Sequence, residues 1–257
     1  MTGSPDGTPD LSIVMPCYNE AENVPNTVPR LVKALLQEEG CRFEMICVDN
    51  GSGDATWAKL GELEARYPGV VRRVKVEKNI GFGNGVLTGI KAARGTWIGT
   101  VAADGQVDAE DFARLYVACA VTDGRVLGKV RRRYRMDGFI RKIISVGYNS
   151  FVRLLWPALG SWDVNGQPRM IRNDVVREMD LRSTNWLLDP EMIIKAHYMG
   201  IRVLEMNVFA RMRGNGLSHV RMSTCWEFFS YLVRFRFSRR LRDWRQGLGQ
   251  GRAVPAA

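Results

Sequence analysis

The chain has 257 residues and 46% hydrophobic content, enough for one large domain or two small ones with a substantial core. It contains no run of about 18 consecutive apolar residues, so no membrane-spanning helix is expected. Its five cysteines form no CxxC pair, and with two histidines they argue against a disulfide frame or a zinc site and for a reducing, cytoplasmic setting. The net charge of +10 is concentrated in Arg125 to Lys142 and beyond Arg202, which points to an anionic partner: a phosphorylated substrate, an anionic membrane surface or nucleic acid.

Residues 1–10 are polar and read as a disordered lead-in with no signal-peptide core. Leu11 to Met15 predicts a short buried strand, closed by Pro16-Cys17-Tyr18-Asn19-Glu20. Val24, Val28, Leu31, Val32, Leu35 and Leu36 then recur at helical spacing. Glu44 to Val48 predicts a second strand, ended by Asp49-Asn50-Gly51-Ser52-Gly53-Asp54, with Asp54 placed to cap the next helix. Val70 to Val76 predicts a third strand. The turn Asn79-Ile80-Gly81-Phe82-Gly83 follows, then a small-residue helix over Asn84 to Ala93 and a fourth strand over Thr96 to Val101. The alternate glycines suggest that backbone comes close to a ligand, and the helix start offers N–H groups to an anion. Alternating strand and helix with short links means a mostly parallel sheet covered by helices, with ligands at the strand C-ends.

Downstream, a helix over 108–120 and a short strand over 125–130 precede the basic run Arg131 to Arg135. A helix begins near Ile140, and Gln167 to Arg172 reads as an edge strand. Glu191 to Met199 is helical, and Ile201 to Val208 is a strand. Ser223 to Arg245 reads as one long helix with Trp226, Phe229, Val233, Phe237, Leu241 and Trp244 on one face and arginines between. Such a helix suits a membrane interface, or packing on its own domain or a second copy. The Gly-rich tail from 247 reads as disordered.

Pro16 to Glu20, Asp49 to Asp54, Asn79 to Gly83 and Ala103-Asp104-Gly105-Gln106 resemble, in order and spacing, the nucleotide-sugar domain of the inverting glycosyltransferases of family 2. Asp163 to Arg169, Asp189-Pro190-Glu191 and Arg213 to Ser218 resemble segments of its dolichyl- or polyprenyl-phosphate mannose and glucose synthase branch. The resemblance covers roughly residues 11–220. It implies a GT-A fold, a Rossmann-like, mostly parallel sheet flanked by helices, here with a C-terminal amphipathic helix over 221–246. It also implies a nucleotide-diphospho-sugar donor and a Mg2+ or Mn2+ ion. Carried over, Pro16, Tyr18, Asn19, Glu20, Asp49, Gly51, Asn79, Gly81, Gly83 and Ala103 would hold the donor. Asp104 and Gln106 would hold the metal and diphosphate, and Arg131, Arg169, Arg213 and Ser218 would face an acceptor phosphate.

Three positions depart from the family pattern. Ala102 stands where its metal motif begins with aspartate, Asn50 stands where an Asp pair is usual, and Gln167-Pro168 replaces Gly-Phe. Three readings stay open. A polyprenyl-phosphate acceptor is already ionised and needs Arg131 and Arg169 but no base. A hydroxyl acceptor on a small metabolite requires a base, Asp189 or Glu191. A non-catalytic nucleotide-sugar-binding protein would need neither. No nucleic-acid recognition motif is present, so nucleic acid is not expected as a partner. The expected setting is cytoplasmic, either free or peripheral on the cytoplasmic face of a membrane.

Overall fold

The computed structural model describes residues 7–135, 139–210 and 222–249. The candidate acceptor residues Arg213 and Ser218 lie outside them. Among the described residues a seven-stranded sheet has the order β3-β2-β1-β4-β6-β5-β7. The strands are β1 (Leu11–Cys17), β2 (Phe43–Asn50), β3 (Val71–Val76), β4 (Trp97–Thr100), β5 (Val126–Arg135), β6 (Arg169–Arg172) and β7 (Arg202–Ala210). β1 lies parallel to β2 and to β4, β2 to β3, and β5 to β7, whereas β6 runs antiparallel to both β4 and β5. The strand order therefore reverses between β1 and β4. In open α/β sheets the crevice outside the strand C-ends at such a point is where ligands bind.

The side-chain period of two sorts the strands onto two faces. Leu11, Ile13, Met15, Met45 and Cys47 point to one face, covered by α1 (Val24–Leu36), α2 (Thr56–Arg66) and α4 (Ala109–Ala120). Val14, Ile46, Val48, Ile98 and Ile171 point to the other. That face carries α3 (Phe82–Ala92), α5 (Phe139–Leu155), α6 (Asn173–Met179), α7 (Leu188–Tyr198), α8 (Met222–Arg236) and α9 (Arg239–Gly249). Gly89 of α3 has Val14 where a Cβ would stand, so the small residues of this helix let it sit directly on β1.

Four expectations change. The Gln167–Arg172 segment is not an edge strand, because β6 is inserted between β4 and β5. The basic run Arg131 to Arg135 continues β5 instead of following it, because pairing with β7 carries the strand on to Arg135. The expected 223–245 helix is two helices. Ser238 interrupts it: its hydroxyl accepts the Leu241 N–H at 3.1 Å, the bond of a helix N-cap, and so starts α9. Its expected apolar face is divided as well, since Leu232, Phe235, Leu241 and Trp244 pack into the core while Val233 and Phe237 face outward. No helix among the described residues is long and apolar enough to cross a membrane.

Candidate active site

The loops that leave β1, β2, β3 and β4 at their C-ends are tied to one another by hydrogen bonds. After β1 the chain turns at Asn19, whose φ of 55° is left-handed. Asparagine tolerates that conformation better than most residues. The Asn19 N–H donates to Ser52 Oγ at 3.1 Å, and Asn19 Oδ1 accepts the Gly53 N–H at 2.9 Å. The Glu20 N–H donates to Thr56 Oγ1 at 2.9 Å, and the Glu20 carboxylate accepts from Asn23 Nδ2 at the start of α1. Asp54 does not cap α2 as expected, since the N-cap position falls to Ala55; it accepts the Thr56 N–H at 3.0 Å from one residue earlier and reaches back to the Ala21 N–H at 3.2 Å.

Asp49 is buried and accepts the Ser52 N–H at 3.0 Å, which closes the turn through Gly51. Gly51 has a φ of +75°, and a Cβ there would meet the Asn79 amide nitrogen at 2.6 Å. Asn50 donates through Nδ2 to the Gly81 carbonyl at 3.0 Å. A carboxylate at this position has no proton to give, so the departure from the family's Asp pair ties β2 to the turn after β3. Asn79 Oδ1 accepts the Gly81 N–H at 2.8 Å. After β4, Thr27 of α1 holds the Ala103 carbonyl at 2.9 Å, and Asp104 is buried with Oδ1 accepting the Gln106 N–H at 3.2 Å. Pro16, Tyr18, Asp49, Asn79 and Asp104 thus all belong to the loop cluster at the β1/β4 switch.

The glycine turn carries a correction. Gly81 and Gly83 come close to protein backbone. A Cβ on Gly83 would meet the Ser183 carbonyl oxygen, Asn185 O at 2.7 Å and Thr184 C at 2.8 Å. One on Gly81 would meet the Thr184 carbonyl oxygen. The Asn84 N–H at the start of α3 donates to Thr184 O at 2.9 Å, so this amide is spent on the chain itself. Phe82 and Trp186 stack with centroids 5.0 Å apart and planes 7° from parallel, sealing the same junction. The turn grips the loop that leads into α7.

The acceptor-side residues are also rearranged. Arg169 is 1% exposed, and its partner is Asp189, at 2.5 Å, and not the nearer Asp163. Its remaining donors go to Val164 O at 2.6 Å and Gly166 O at 3.2 Å, so its fork is turned inward. Gln167 Nε2 adds contacts of 3.3 Å to both Asp189 oxygens. Glu191, two residues on, is fully buried between Lys195 and Arg240, and it also accepts the Ser183 N–H at 2.9 Å. Burial works to raise its carboxyl, but Lys195, Ser183 and Arg240 outweigh that and hold it below its ordinary value. Lys129 is buried against Glu205, Ser161 and the Asp163 carbonyl, and burial brings it down to about 8. Arg131 is half-buried, its guanidinium 5.1 Å from the Trp162 ring centre. Among the described residues no three His, Cys, Asp or Glu side chains are grouped to hold a metal ion, and Asp104 has the Gln106 amide two residues on in sequence.

Sequence reasoning missed Ser52, Thr56 and Thr27, which bind the loops together, and Thr184 and Trp186, which meet the glycine turn. A hydroxyl next to a strand-end carboxylate, as in Asp54 and Thr56, was a readable signal. The partners of Gly83 were not.

The family model described as Glycosyl transferase family 2 matches residues 12–180. The chain is 30% identical over 233 residues to the dolichol-phosphate mannosyltransferase of Pyrococcus furiosus, covering 87% of this chain and 63% of that protein. It thus spans less than two thirds of that relative. It is 27% identical over 253 residues to the dolichyl-phosphate beta-glucosyltransferase of Dictyostelium discoideum, covering 91% and 76%. Among solved structures it resembles glucosyl-3-phosphoglycerate synthase from Mycobacterium tuberculosis in complex with Mn2+, uridine-diphosphate-glucose and phosphoglyceric acid. The TM-score is 0.67 at 17% identity, over 93% of this chain and 80% of that one, a likeness of fold.

Proposed function

This chain belongs to glycosyl transferase family 2, and we propose that it moves a sugar from a nucleoside-diphosphate sugar to a polyprenyl phosphate with inversion at the anomeric carbon. The loops at the β1/β4 switch supply the donor side. Pro16, Tyr18, Glu20 and Asp49 hold base and ribose, and Asn79 and Ala103 flank the diphosphate. A Mg2+ or Mn2+ ion at Asp104 and Gln106 would neutralise the departing diphosphate. One carboxylate and one amide fit an ion that takes most of its oxygen ligands from substrate phosphates and water, as Mg2+ commonly does. The named relatives and the Mn2+ in the fold neighbour support this reading.

The observation that carries the acceptor class is the state of the two candidate bases. Asp189 is held by Arg169 and Gln167, and Glu191 lies buried between two cations. Neither is placed to strip a proton from a hydroxyl. A phosphate monoester needs no such help, being ionised at neutral pH. One of its oxygens attacks the anomeric carbon as the bond from that carbon to the diphosphate oxygen breaks, and the nucleoside diphosphate leaves with the electron pair. Arg131 provides the charged fork for the incoming phosphate. Arg169 acts one step back by fixing Asp189 and the 163–169 segment.

The test is a screen of GDP-, UDP- and dTDP-sugars against a short-chain polyprenyl phosphate and against soluble hydroxyl acceptors, with Mg2+ or Mn2+. Transfer to the polyprenyl phosphate supports the proposal. Transfer to hydroxyl acceptors alone replaces it, and donor binding without transfer to any acceptor would leave a non-catalytic binder.

A further inference from the structure

A buried charge pair lies beside the acceptor segment and has no part in the transfer step. Leu127, Lys129 and Arg131 alternate along β5 and so share one face of the sheet. Leu127 belongs to the core, Lys129 is fully buried, and Arg131 is half-buried toward the C-end of the strand. Lys129 stands in register with Arg169 of β6 on one side and Glu205 of β7 on the other. Charged side chains thus stand abreast under the 160–167 loop.

Lys129 and Glu205 take hold of consecutive residues of that loop. The Lys129 ammonium donates to Glu205 Oε1 at 3.2 Å, to Ser161 Oγ at 3.1 Å and to the Asp163 carbonyl. Glu205 Oε1 accepts the Ser161 hydroxyl at 2.7 Å and the Trp162 N–H at 2.9 Å. Gly166 lets the loop lie on the strand, since a Cβ there would meet Lys129 Nζ at 3.2 Å and the Val130 carbonyl oxygen. The bonds are spent on the Ser161 side chain, the Trp162 amide and the Asp163 carbonyl, and the Trp162 side chain is left 58% exposed. Its ring lies 5.1 Å from the Arg131 guanidinium and 3.8 Å from that of Arg153 on α5.

Stability alone does not call for this pair. A buried ion pair costs desolvation, and apolar side chains of similar volume often fill such a space as well or better. What the pair adds is direction: charge-assisted hydrogen bonds fix the backbone of one exposed aromatic residue next to the arginine that faces the incoming phosphate. Charges meet Lys129 from the elements around it. Burial, joined by Arg169 on β6, works against its protonated form, whereas Asp163 in the loop and Glu205 on β7 favour it, and burial brings it down to about 8. Arg153 of α5 reaches the Ser161 carbonyl at 3.5 Å, and Asp189 of α7 is taken up by Arg169.

We propose that Lys129 and Glu205 are positioning residues for the acceptor: they fix the Trp162 ring beside Arg131, so that an acceptor phosphate meets that guanidinium against a preset aromatic wall. This role rests on the polyprenyl-phosphate reading above. Both side chains lie beneath the loop and act through Trp162. Loss of the Lys129 proton removes the charge from its bonds to Glu205, Ser161 and Asp163. The hold on Trp162 is therefore complete while Lys129 is charged and slackens as pH rises through its titration.

The experiment uses the full chain and has two readouts. The first is the KM for a short-chain polyprenyl phosphate at saturating donor, in the parent, Lys129→Met and Glu205→Gln. Lys129→Met should raise it about tenfold, the worth of one hydrogen bond to a charged group, with donor KM and kcat kept within about twofold. Glu205→Gln still accepts from Ser161 and Trp162 and should raise it less. In the parent the acceptor KM should climb as pH passes about 8, and Lys129→Met should lack that limb. The second readout needs no turnover. The fluorescence that Trp162 contributes, taken as the parent minus Trp162→Phe, should change over the same pH interval, and the same difference in the Lys129→Met background should stay flat. An acceptor KM unchanged in Lys129→Met, a donor KM that rises equally, or a Trp162 signal that does not titrate near 8 overturns the proposal. If the melting curve shows that Lys129→Met does not fold, the parent titration and Glu205→Gln decide it. A Trp162 titration without transfer to polyprenyl phosphate would refute the proposed function and leave the hold of Lys129 and Glu205 on Trp162 standing.

Discussion

Replacing Gly83 with alanine separates two uses of the glycine turn. Its Cβ would fall 2.7 Å from the Asn185 carbonyl oxygen and 2.8 Å from the Thr184 carbonyl carbon, with the Ser183 carbonyl oxygen closer still. All three are backbone atoms in a loop held at its base by Glu191, so no flexible side chain can swing aside. Overpacking of this kind costs about 1–3 kcal/mol. Moving the loop away also breaks the Asn84–Thr184 bond, worth about 1 kcal/mol. The sum, about 2–4 kcal/mol, corresponds to a drop in melting temperature of roughly 4–15 °C for a chain of this size. The assay is thermal unfolding without nucleotide, with Gly147→Ala as the control. Gly147 lies in α5 with nothing within 4 Å of its Cβ position, and alanine there should stabilise by about 0.4–1 kcal/mol. An unchanged melting temperature for Gly83→Ala, coupled with lost nucleoside-diphosphate affinity, would show that the turn serves a ligand and refute the clamp.

Arg169→Ala leaves the Asp189 carboxylate buried without its cation and should destabilise the protein by about 3–5 kcal/mol, read by denaturant unfolding. Arg131→Ala should raise the KM for a polyprenyl-phosphate acceptor and cost no more than about 1 kcal/mol of stability, the worth of its half-buried contact with the Trp162 ring. Glu191→Gln should lower the melting temperature by strengthening no contact and uncovering the charges of Lys195 and Arg240, without adding or removing a limb of the pH–rate profile. Glu44, Glu191 and Glu205 are all held below the ordinary 4.5 by their partners, against the opposing effect of burial. Their folded carboxyls bind fewer protons than the unfolded ones, so the stability they add is complete above 4.5 and lost as pH falls through the folded values. Acid unfolding followed by circular dichroism should show stability flat between about 5 and 7 and falling below that window, and a decline starting near neutrality as pH is lowered would contradict the assignment.

The half of the molecule that carries the β1/β4 switch was legible because its signals are local. A parallel strand buried on both faces reads as an apolar run, and the residues that end it lie next to it in sequence. Hence β1 to β4, and Asp49, Asn79 and Asp104 at their ends, were placed from the chain alone. Partnerships across long separations were not. A glycine announces that something comes close but not what, and Thr184 is far from Gly83 in sequence. Arg169 was expected to face an acceptor phosphate, yet it is buried against Asp189, 20 residues on, and nothing local in the sequence joins the two. The β6 strand was legible as a strand, but its place between β4 and β5 depends on antiparallel pairing with both, which four residues do not encode. Ser238 was overlooked because helical periodicity continues through it, and only the cap bond to Leu241 marks the break.

The central claim is that Asp104, at the end of β4, supports departure of a nucleoside diphosphate from a sugar captured by a polyprenyl phosphate. The most direct measurement is transfer of radiolabelled sugar from each nucleoside-diphosphate donor to a short-chain polyprenyl phosphate, comparing the parent chain with Asp104→Asn, with Mn2+ or chelator present. Metal-dependent formation of a polyprenyl-phosphate sugar by the parent is expected, with a loss of at least about 10²-fold in Asp104→Asn, whose folding should be intact. Undiminished transfer by Asp104→Asn in chelator, or transfer by the parent to hydroxyl acceptors alone, would contradict it.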